Sequence, residues 1–343
     1  MKIVLTSFTP IDAPGGVPRW CRDLRDGFPK GSVVHYSWSD VVNDVGQDYD
    51  LPEWVKARGL ANWLQFKRKI GSDDIVIGDG FWADGYDPKR TVSVCHGNWS
   101  HTTANDVAEG IPPEFPQHHA AQLEFRLKHR DHGGRLAAVS DFIADQCMAQ
   151  WGLEMPVINN GIDLQRFMPA DRMMSRSRPL IIHGVTNSNK GYDHIRLILD
   201  EANRHHLWDV MLLDEAVERL CLPKNETLAQ ADLVVIPSAH EGNSYFLLET
   251  LACNVPIVAY DVGLLYRAAR ELRVPHLGRI VPREERGAQN FVSKMSFQMT
   301  STTNWRPFIQ CREWVSQFSV QEFQRLWREY LAKEFGDVHP LQD

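Results

Sequence analysis

Short apolar runs recur along the chain and stop at turn residues: "KIVLTS", "SVVHYS", "DIVIGDG", "TVSVCHG", "RLAAVS" and "PVINNG". Longer helical or irregular segments separate most of them, which predicts a βα repeat. A second series follows a polar stretch, in "PLIIHGV", "DVMLLD", "ADLVVIPS", "PIVAYDVG" and "GRIVP". Runs this continuous suit strands buried on both faces, so the pattern predicts two parallel sheets, each covered by helices. The break is "MPADRMMSRSRP", residues 168 to 179, read as a linker. The division expected is a first domain over 1–168, a linker over 169–178 and a second domain over 179–343. Near the end, "VQEFQRLWREYLAKEFG" spaces Phe323, Leu326, Trp327, Tyr330 and Leu331 at helical intervals and stops at Gly336. That predicts a long amphipathic helix over about 319–335, expected to pack back toward the first domain.

A chain of 343 residues fits two such domains. Its 37 basic and 44 acidic residues give a net charge of −7, which argues against a general nucleic-acid binder. The six cysteines are widely spaced without a CxxC pair, and they read as reduced thiols in a cytoplasmic protein, without structural zinc. "MKIVLTSFTP" holds only a short apolar run before Thr6, too little for a signal-peptide core, and no run elsewhere reaches membrane-spanning length. Membrane contact is then expected to be peripheral, at the inner face. A candidate for it is "EWVKARGLANWLQFKRKIG", residues 53 to 71, a basic amphipathic stretch whose apolar face equally suits covering the sheet.

Ligands of open α/β sheets sit beyond the carboxyl ends of the strands, so the informative residues follow each apolar run. After the first comes "PIDAPGGVPRW", where Gly15 and Gly16 permit a tight turn and Pro18 suits the first position of a helix. After "TVSVC" come His96, Gly97, Asn98 and Trp99 in a polar segment. His96 either meets a substrate hydroxyl or is a histidine bonded to backbone. In "NSNKGYDHI", Ser188 or Asn189 is placed to cap a helix, which sets Lys190 at its first turn, against the helix dipole. A bound phosphate would account for that lysine, and a solvated surface lysine is the plain alternative.

The segment "HEGNSYFLLETLACNVPIVAYDVG" follows a buried strand and carries Glu241 in a turn and Glu249 inside the next helix. It is not a capping box, because Phe246 and Leu247 stand three places after Asn243 and Ser244. A carboxylate accepts two hydrogen bonds side by side, the geometry a vicinal diol offers. Two such carboxylates, with a lysine and turn amides for a diphosphate, describe a sugar nucleotide.

"EGNSYFLLETLACNVPIVAYDVG" closely resembles the E-x7-E region of retaining glycosyltransferases of the GT-B fold, in particular glycosyltransferase family 4. Similar segments follow in family order: "GGVPRWCRDL", "VCHG", "AAVSDFIADQ", "NNGIDLQRFMP", "NKGYDHI" and "FSVQEFQRLWREYL". The resemblance implies an α/β, GT-B architecture of two Rossmann-like domains facing across a cleft, the first on the acceptor side and the second on the donor side, with the long C-terminal helix. It implies a nucleotide-sugar co-substrate, UDP-sugar by default, no required cofactor or metal, and transfer with retention to an acceptor hydroxyl on a glycan, a lipid or another molecule. By position, Glu249 holds the ribose and Glu241 the donor sugar. Lys190 takes the diphosphate, Gly15 and Gly16 approach the phosphates, and Gly242, Asn243, Ser244, Tyr245 and Phe246 frame the donor. His96 lies beside the transferred sugar, with Asn98 and Trp99 toward the acceptor. Where the family carries an arginine after the glycine of its "GR" turn, this chain has Val185 after Gly184, and Arg19 stands as a substitute cation.

Three other readings stay open. A degenerate relative would bind a sugar nucleotide or glycan without turnover, as Val185 and Asn243-Ser244 allow. A transferase acting on a modified nucleic-acid base would use a groove lined by Lys67 to Lys69 and Arg126 to Arg130. A metal-dependent GT-A enzyme would use Asp48-Tyr49-Asp50 as a DxD motif, whose preceding residues make a poor strand end. The histidines His118, His119, His129 and His132 read as surface residues of a polar helix.

Overall fold

The computed structural model describes residues 1–97, 116–170, 177–184, 190–205, 208–238, 240–266, 277–282, 287–305 and 310–336, with the side chains of 116–119, 205 and 299–305 left aside. The chain forms two compact units, Met1–Gly161 with Gln321–Asp343, and Ile162–Val320.

In the first unit the elements run β1 (Ile3–Ser7), α1 (Gly16–Arg25), β2 (Val33–Ser37), α2 (Trp38–Val45), α3 (Glu53–Phe66), β3 (Ile75–Asp79), β4 (Thr91–Cys95), α4 (Pro116–Asp131), β5 (Arg135–Ala138) and α5 (Asp141–Trp151). The strands pair in parallel in the order β2-β1-β3-β4-β5. Consecutive residues of β1 and β4 are buried on both faces, as their unbroken apolar runs predict. The α3 helix turns Ala57, Leu60, Ala61 and Leu64 into a core with Val76, Phe81 and Trp82. Its apolar face therefore covers the sheet, the plainer of the two readings for this segment.

The second unit holds β6 (Leu180–His183), α6 (Tyr192–His205), β7 (Asp209–Leu212), α7 (Leu213–Leu220), α8 (Lys224–Ala229), β8 (Leu233–Ile236), α9 (Tyr245–Ala252), β9 (Ile257–Tyr260), β10 (Gly278–Val281), α10 (Ala288–Trp305) and α11 (Cys311–Val315). Its strands pair in parallel in the order β10-β9-β8-β6-β7. Numbered within each unit, both sheets have the same 2-1-3-4-5 order. In this order the strands reverse direction of succession between the first and third, here β1/β3 and β6/β8, and that reversal opens a crevice at their carboxyl ends.

Two expectations change. "PVINNG" makes no strand, because only Val157 bridges to Ala138 before the chain turns away at the sheet edge. The units divide at Gly161/Ile162 rather than over 169–178. Arg312 explains the shift: its guanidinium donates to Leu164 O at 2.7 Å, Phe167 O at 2.6 Å and Ala252 O at 2.7 Å, tying residues 162–168 to the second unit. The last helix, α12 (Val320–Phe335), is counted from Gln321 with the first unit. There its Gln324 Nε2 donates to Asp23 O at 2.8 Å, and its Arg328 Nη1 to Gly27 O at 2.8 Å, satisfying carbonyls at the end of α1. Among the described residues no helix is long and apolar enough to cross a membrane.

Candidate functional site

The second unit's crevice is built by glycines. Gly191, in the turn after β6, has φ +87°, and a Cβ there would lie 2.5 Å from Pro237 O just past β8. Only a residue without a side chain lets that turn close on the strand end. Gly263, after β9, has φ +57°, and a Cβ there would lie 2.8 Å from Gly242 O and 2.9 Å from Glu241 O. The turns after β6, β8 and β9 are thus pressed together around Glu241.

That packing joins two residues that are distant in sequence. Lys190 Nζ donates to Glu241 Oε1 at 2.6 Å, with the lysine side chain 41% and the glutamate 14% exposed. Lys190 lies just ahead of α6, so its charge sits at the positive end of that helix and is offset by Glu241 instead. A half-exposed pair is worth about 0–1 kcal/mol, so exchanging either partner for a ligand group costs little.

Glu249 is different. Its side chain, on α9, is 2% exposed, and Lys224 Nζ, 42% exposed, lies 2.6 Å from its Oε2. Lys224 is the first residue of α8 after Pro223, again a cation at a helix N-terminus. Sequence reasoning missed it, although the dipole argument that singled out Lys190 applies equally here. Glu241 and Glu249 are thus each paired with a different lysine.

Ser244 caps α9, accepting from the Leu247 amide at 3.4 Å. Gly242 lies under Gly263, Asn243 is buried in the turn, and Tyr245 and Phe246 begin the helix against the second unit's core. The Phe246 ring lies 3.2 Å from where a Cβ on Gly184 would stand, so a glycine at the end of β6 admits the aromatic ring. Val185, Asn98 and Trp99 lie outside the described residues.

The first unit sets out a second polar group. Gly15 caps α1 and Gly16 opens it, which puts Pro18 at its third residue rather than its first. No acidic residue stands in that first turn. Arg19 is placed on this helix, where Asp23 lies 3.7 Å from its Nε, so part of its charge is already answered. His96 leaves β4 with Nε2 enclosed and without a hydrogen-bond partner, and burial pulls its pKa down to about 4. The ring is neutral at pH 7. Among the described residues, no backbone group bonds His96 at Nε2. Asp79, at the end of β3 in the β1/β3 crevice, was also missed. Burial first, then Glu53 and Cys95, pushes its pKa up to about 8, with Arg126 pulling the other way. A lone aspartate after an apolar run, "IVIGD", was the available signal.

Other assignments are corrected here. Arg126 is 1% exposed, with Nη2 donating to Gly97 O at 3.2 Å and its guanidinium 5.0 Å from the Trp151 ring centroid, so it lines no surface groove. Lys67 and Arg130 of the same proposed groove pair with Asp44 at 2.8 Å and Asp131 at 2.7 Å. Asp48 is engaged by Trp38 Nε1 at 2.8 Å and Lys56 Nζ at 3.3 Å, a structural role for the DxD candidate. His129 is buried, its Nε2 bonded to Arg135 O at 3.1 Å, whereas His132 is exposed in the turn just after that helix. The side chains of His118 and His119 lie outside the described residues.

Residues 200–296, from α6 into α10, match the family model described as Glycosyl transferases group 1. A D-inositol 3-phosphate glycosyltransferase of Paenarthrobacter aurescens (strain TC1) is 26% identical over 181 residues, 42% of this chain and 44% of that protein. The match thus spans less than half of that relative's length. Among solved structures, a sucrose-phosphate synthase from Thermosynechococcus elongatus aligns over 97% of this chain and 100% of its own, with TM-score 0.72 and 13% identity. HepE of Anabaena, solved with UDP, aligns over 97% and 100% with TM-score 0.67 and 16% identity. WaaG, a glycosyltransferase involved in lipopolysaccharide biosynthesis, aligns over 96% and 99% with TM-score 0.66 and 15% identity. At these identities the likeness fixes the architecture: the fold is α/β, two parallel five-stranded sheets of the GT-B class. Fold and matched segment together support a GT-B glycosyltransferase, and that segment contains Glu241, Glu249 and Lys224.

Proposed function

We propose that this protein transfers a sugar from a nucleotide-sugar donor to an acceptor hydroxyl, with retention at the anomeric carbon. The observation that carries the reading is the Lys190–Glu241 pair at the β6/β8 reversal, 2.6 Å apart, with the Ser244-capped start of α9 in the same turn. A diphosphate accepts the ammonium and helix amides, and a sugar hydroxyl takes the carboxylate, so donor binding exchanges one set of partners for another. Glu249 is the group for the ribose diol. The donor default is a UDP-sugar, in keeping with HepE, whose structure holds UDP. His96, neutral at pH 7, serves as a hydrogen-bonding group beside the sugar rather than as a cation.

The positive charge for the leaving diphosphate comes from Lys190 and backbone amides, so the reaction is proposed to need no metal. Retention rests on the E-x7-E pattern, and the leaving phosphate is proposed to take the acceptor proton on the same face of the sugar. A thermal-shift panel of nucleoside diphosphates and their sugars identifies the donor, because a ligand at 100 times its Kd raises stability by about 2.7 kcal/mol. Turnover with the stabilising donor in EDTA, with the product's anomeric configuration read by NMR, tests transfer, metal independence and retention together. Binding without any turnover or donor hydrolysis would leave a binding protein in place of an enzyme.

A further inference from the structure

Three enclosed nitrogens in the first unit have no hydrogen-bond partner and share one cluster: Trp20 Nε1, His96 Nε2 and Trp327 Nε1. Buried polar atoms are nearly always paired, so three together ask for a reason that ordinary core packing does not give. The rings are in contact. Trp20 meets His96 edge-on, centroids 5.1 Å apart at 85°, and Trp327 meets Trp20 at 5.6 Å and 73°. Both indoles are fully buried. Such T-shaped contacts direct a positive ring edge, including an N–H, at a neighbouring π face, and this fixes ring planes where no hydrogen bond does.

We propose that Trp20 and Trp327 are positioning residues for His96, an aromatic wall that fixes the plane of its imidazole at the exit of β4. Trp20 is carried by α1 and Trp327 by α12, so the last helix of the chain stands behind a residue of the site. The attachment is direct: Gln324 and Arg328 bond the end of α1, and a Cβ on Gly27 would lie 2.5 Å from Gln324 Cγ, so α12 is pressed onto that backbone. The wall also excludes water, which agrees with burial being the one cause of the low His96 pKa, no charged group contributing. Leucine in place of either indole would neither fill the wall nor hold the plane of the ring.

The inference rests on His96 lying beside the transferred sugar, and the experiment keeps the two apart. The His96 ring is titrated by ¹⁵N NMR in the ligand-free full chain, beside transfer kinetics and nucleoside diphosphate calorimetry, for Trp20→Leu, Trp327→Leu and Trp327→Phe. Expected for the leucine variants is a His96 midpoint raised by at least about one pH unit, since water reaches the ring. Their kcat falls about tenfold through loss of orientation, and nucleotide Kd stays within about twofold. Trp327→Phe, which keeps an aromatic face, should shift the midpoint by about half a pH unit and recover most of the kcat. If the leucine chains fail to fold, the phenylalanine shift alone decides. A midpoint unmoved in folded Trp327 variants overturns the proposal, as does a nucleotide Kd that worsens in parallel with kcat. Unchanged turnover in His96→Ala would remove His96 from the site while the NMR result still reports on the wall.

Discussion

Glu241 and Glu249 stand on different elements and are held by different lysines, so their substitutions should part. Glu249→Gln, at the proposed ribose position, should raise the donor KM and weaken the bare nucleoside diphosphate alike, an effect of uniform binding. Glu241→Gln should chiefly lower kcat and leave bare-nucleotide Kd within a few-fold, because its proposed partner is the sugar. Calorimetry beside transfer kinetics decides, and reversed results would exchange the two roles. Lys224 makes the stability counterpart. Removing it takes a cationic partner from a buried carboxylate, so Lys224→Met should destabilise by about 1–3 kcal/mol, between the exposed and buried limits for a pair. Glu249→Gln in the same chain should recover most of that loss in urea unfolding. If the two losses simply add, the pair at 2.6 Å carries no coupling.

At the scale of the element, the site depends on turns that side chains would force apart. Gly191→Ala places a Cβ 2.5 Å from Pro237 O on a backbone at φ +87°, and both strain and collision push Lys190 away from Glu241. The expected result is a nucleoside diphosphate Kd raised about tenfold, with the free nucleoside little changed, since only the former presents the anion. Equal losses for both ligands would point to general damage to the second unit. The helix α9 tells a related story: Ser244 caps it without an acidic residue in its first turn, so its amides stay available to an anion.

For the whole molecule, two buried groups give stability opposite dependences on pH. Asp79, at about 8 in the fold against about 4 unfolded, binds more protons when folded across that window. Its contribution is complete below about pH 4 and lost as pH rises toward 8. Asp79→Asn should therefore stabilise the chain more at pH 8 than at pH 5. His96, at about 4 in the fold against about 6.5 unfolded, binds fewer protons when folded, so stability falls as pH drops from about 6.5 to 4. Thermal unfolding of wild type, Asp79→Asn and His96→Gln across pH 4 to 8 checks both signs. An Asp79→Asn difference that is constant over that range would remove the buried acid from the account.

Much of this was legible in the pattern of apolar runs. Every expected strand but "PVINNG" forms, because a run buried on both faces has few alternatives to a central parallel strand. The long last helix falls at Val320–Phe335, where its apolar spacing placed it. The positions after those runs named Lys190, Glu241 and His96, since the carboxyl ends of strands are where a parallel sheet presents side chains to a ligand, and Glu249 was named in the helix that follows Glu241. What sequence did not determine is who meets whom. Lys190 reaches Glu241 because Gly191 and Gly263 allow turns to close, Lys224 reaches Glu249 from another helix, and Arg126 is buried over Trp151 instead of lining a groove. The unit boundary likewise moved to Gly161, because Arg312 binds carbonyls of residues far away in the chain. Periodicity is a local property read within one element, whereas pairings across elements depend on packing that only the folded chain brings into being.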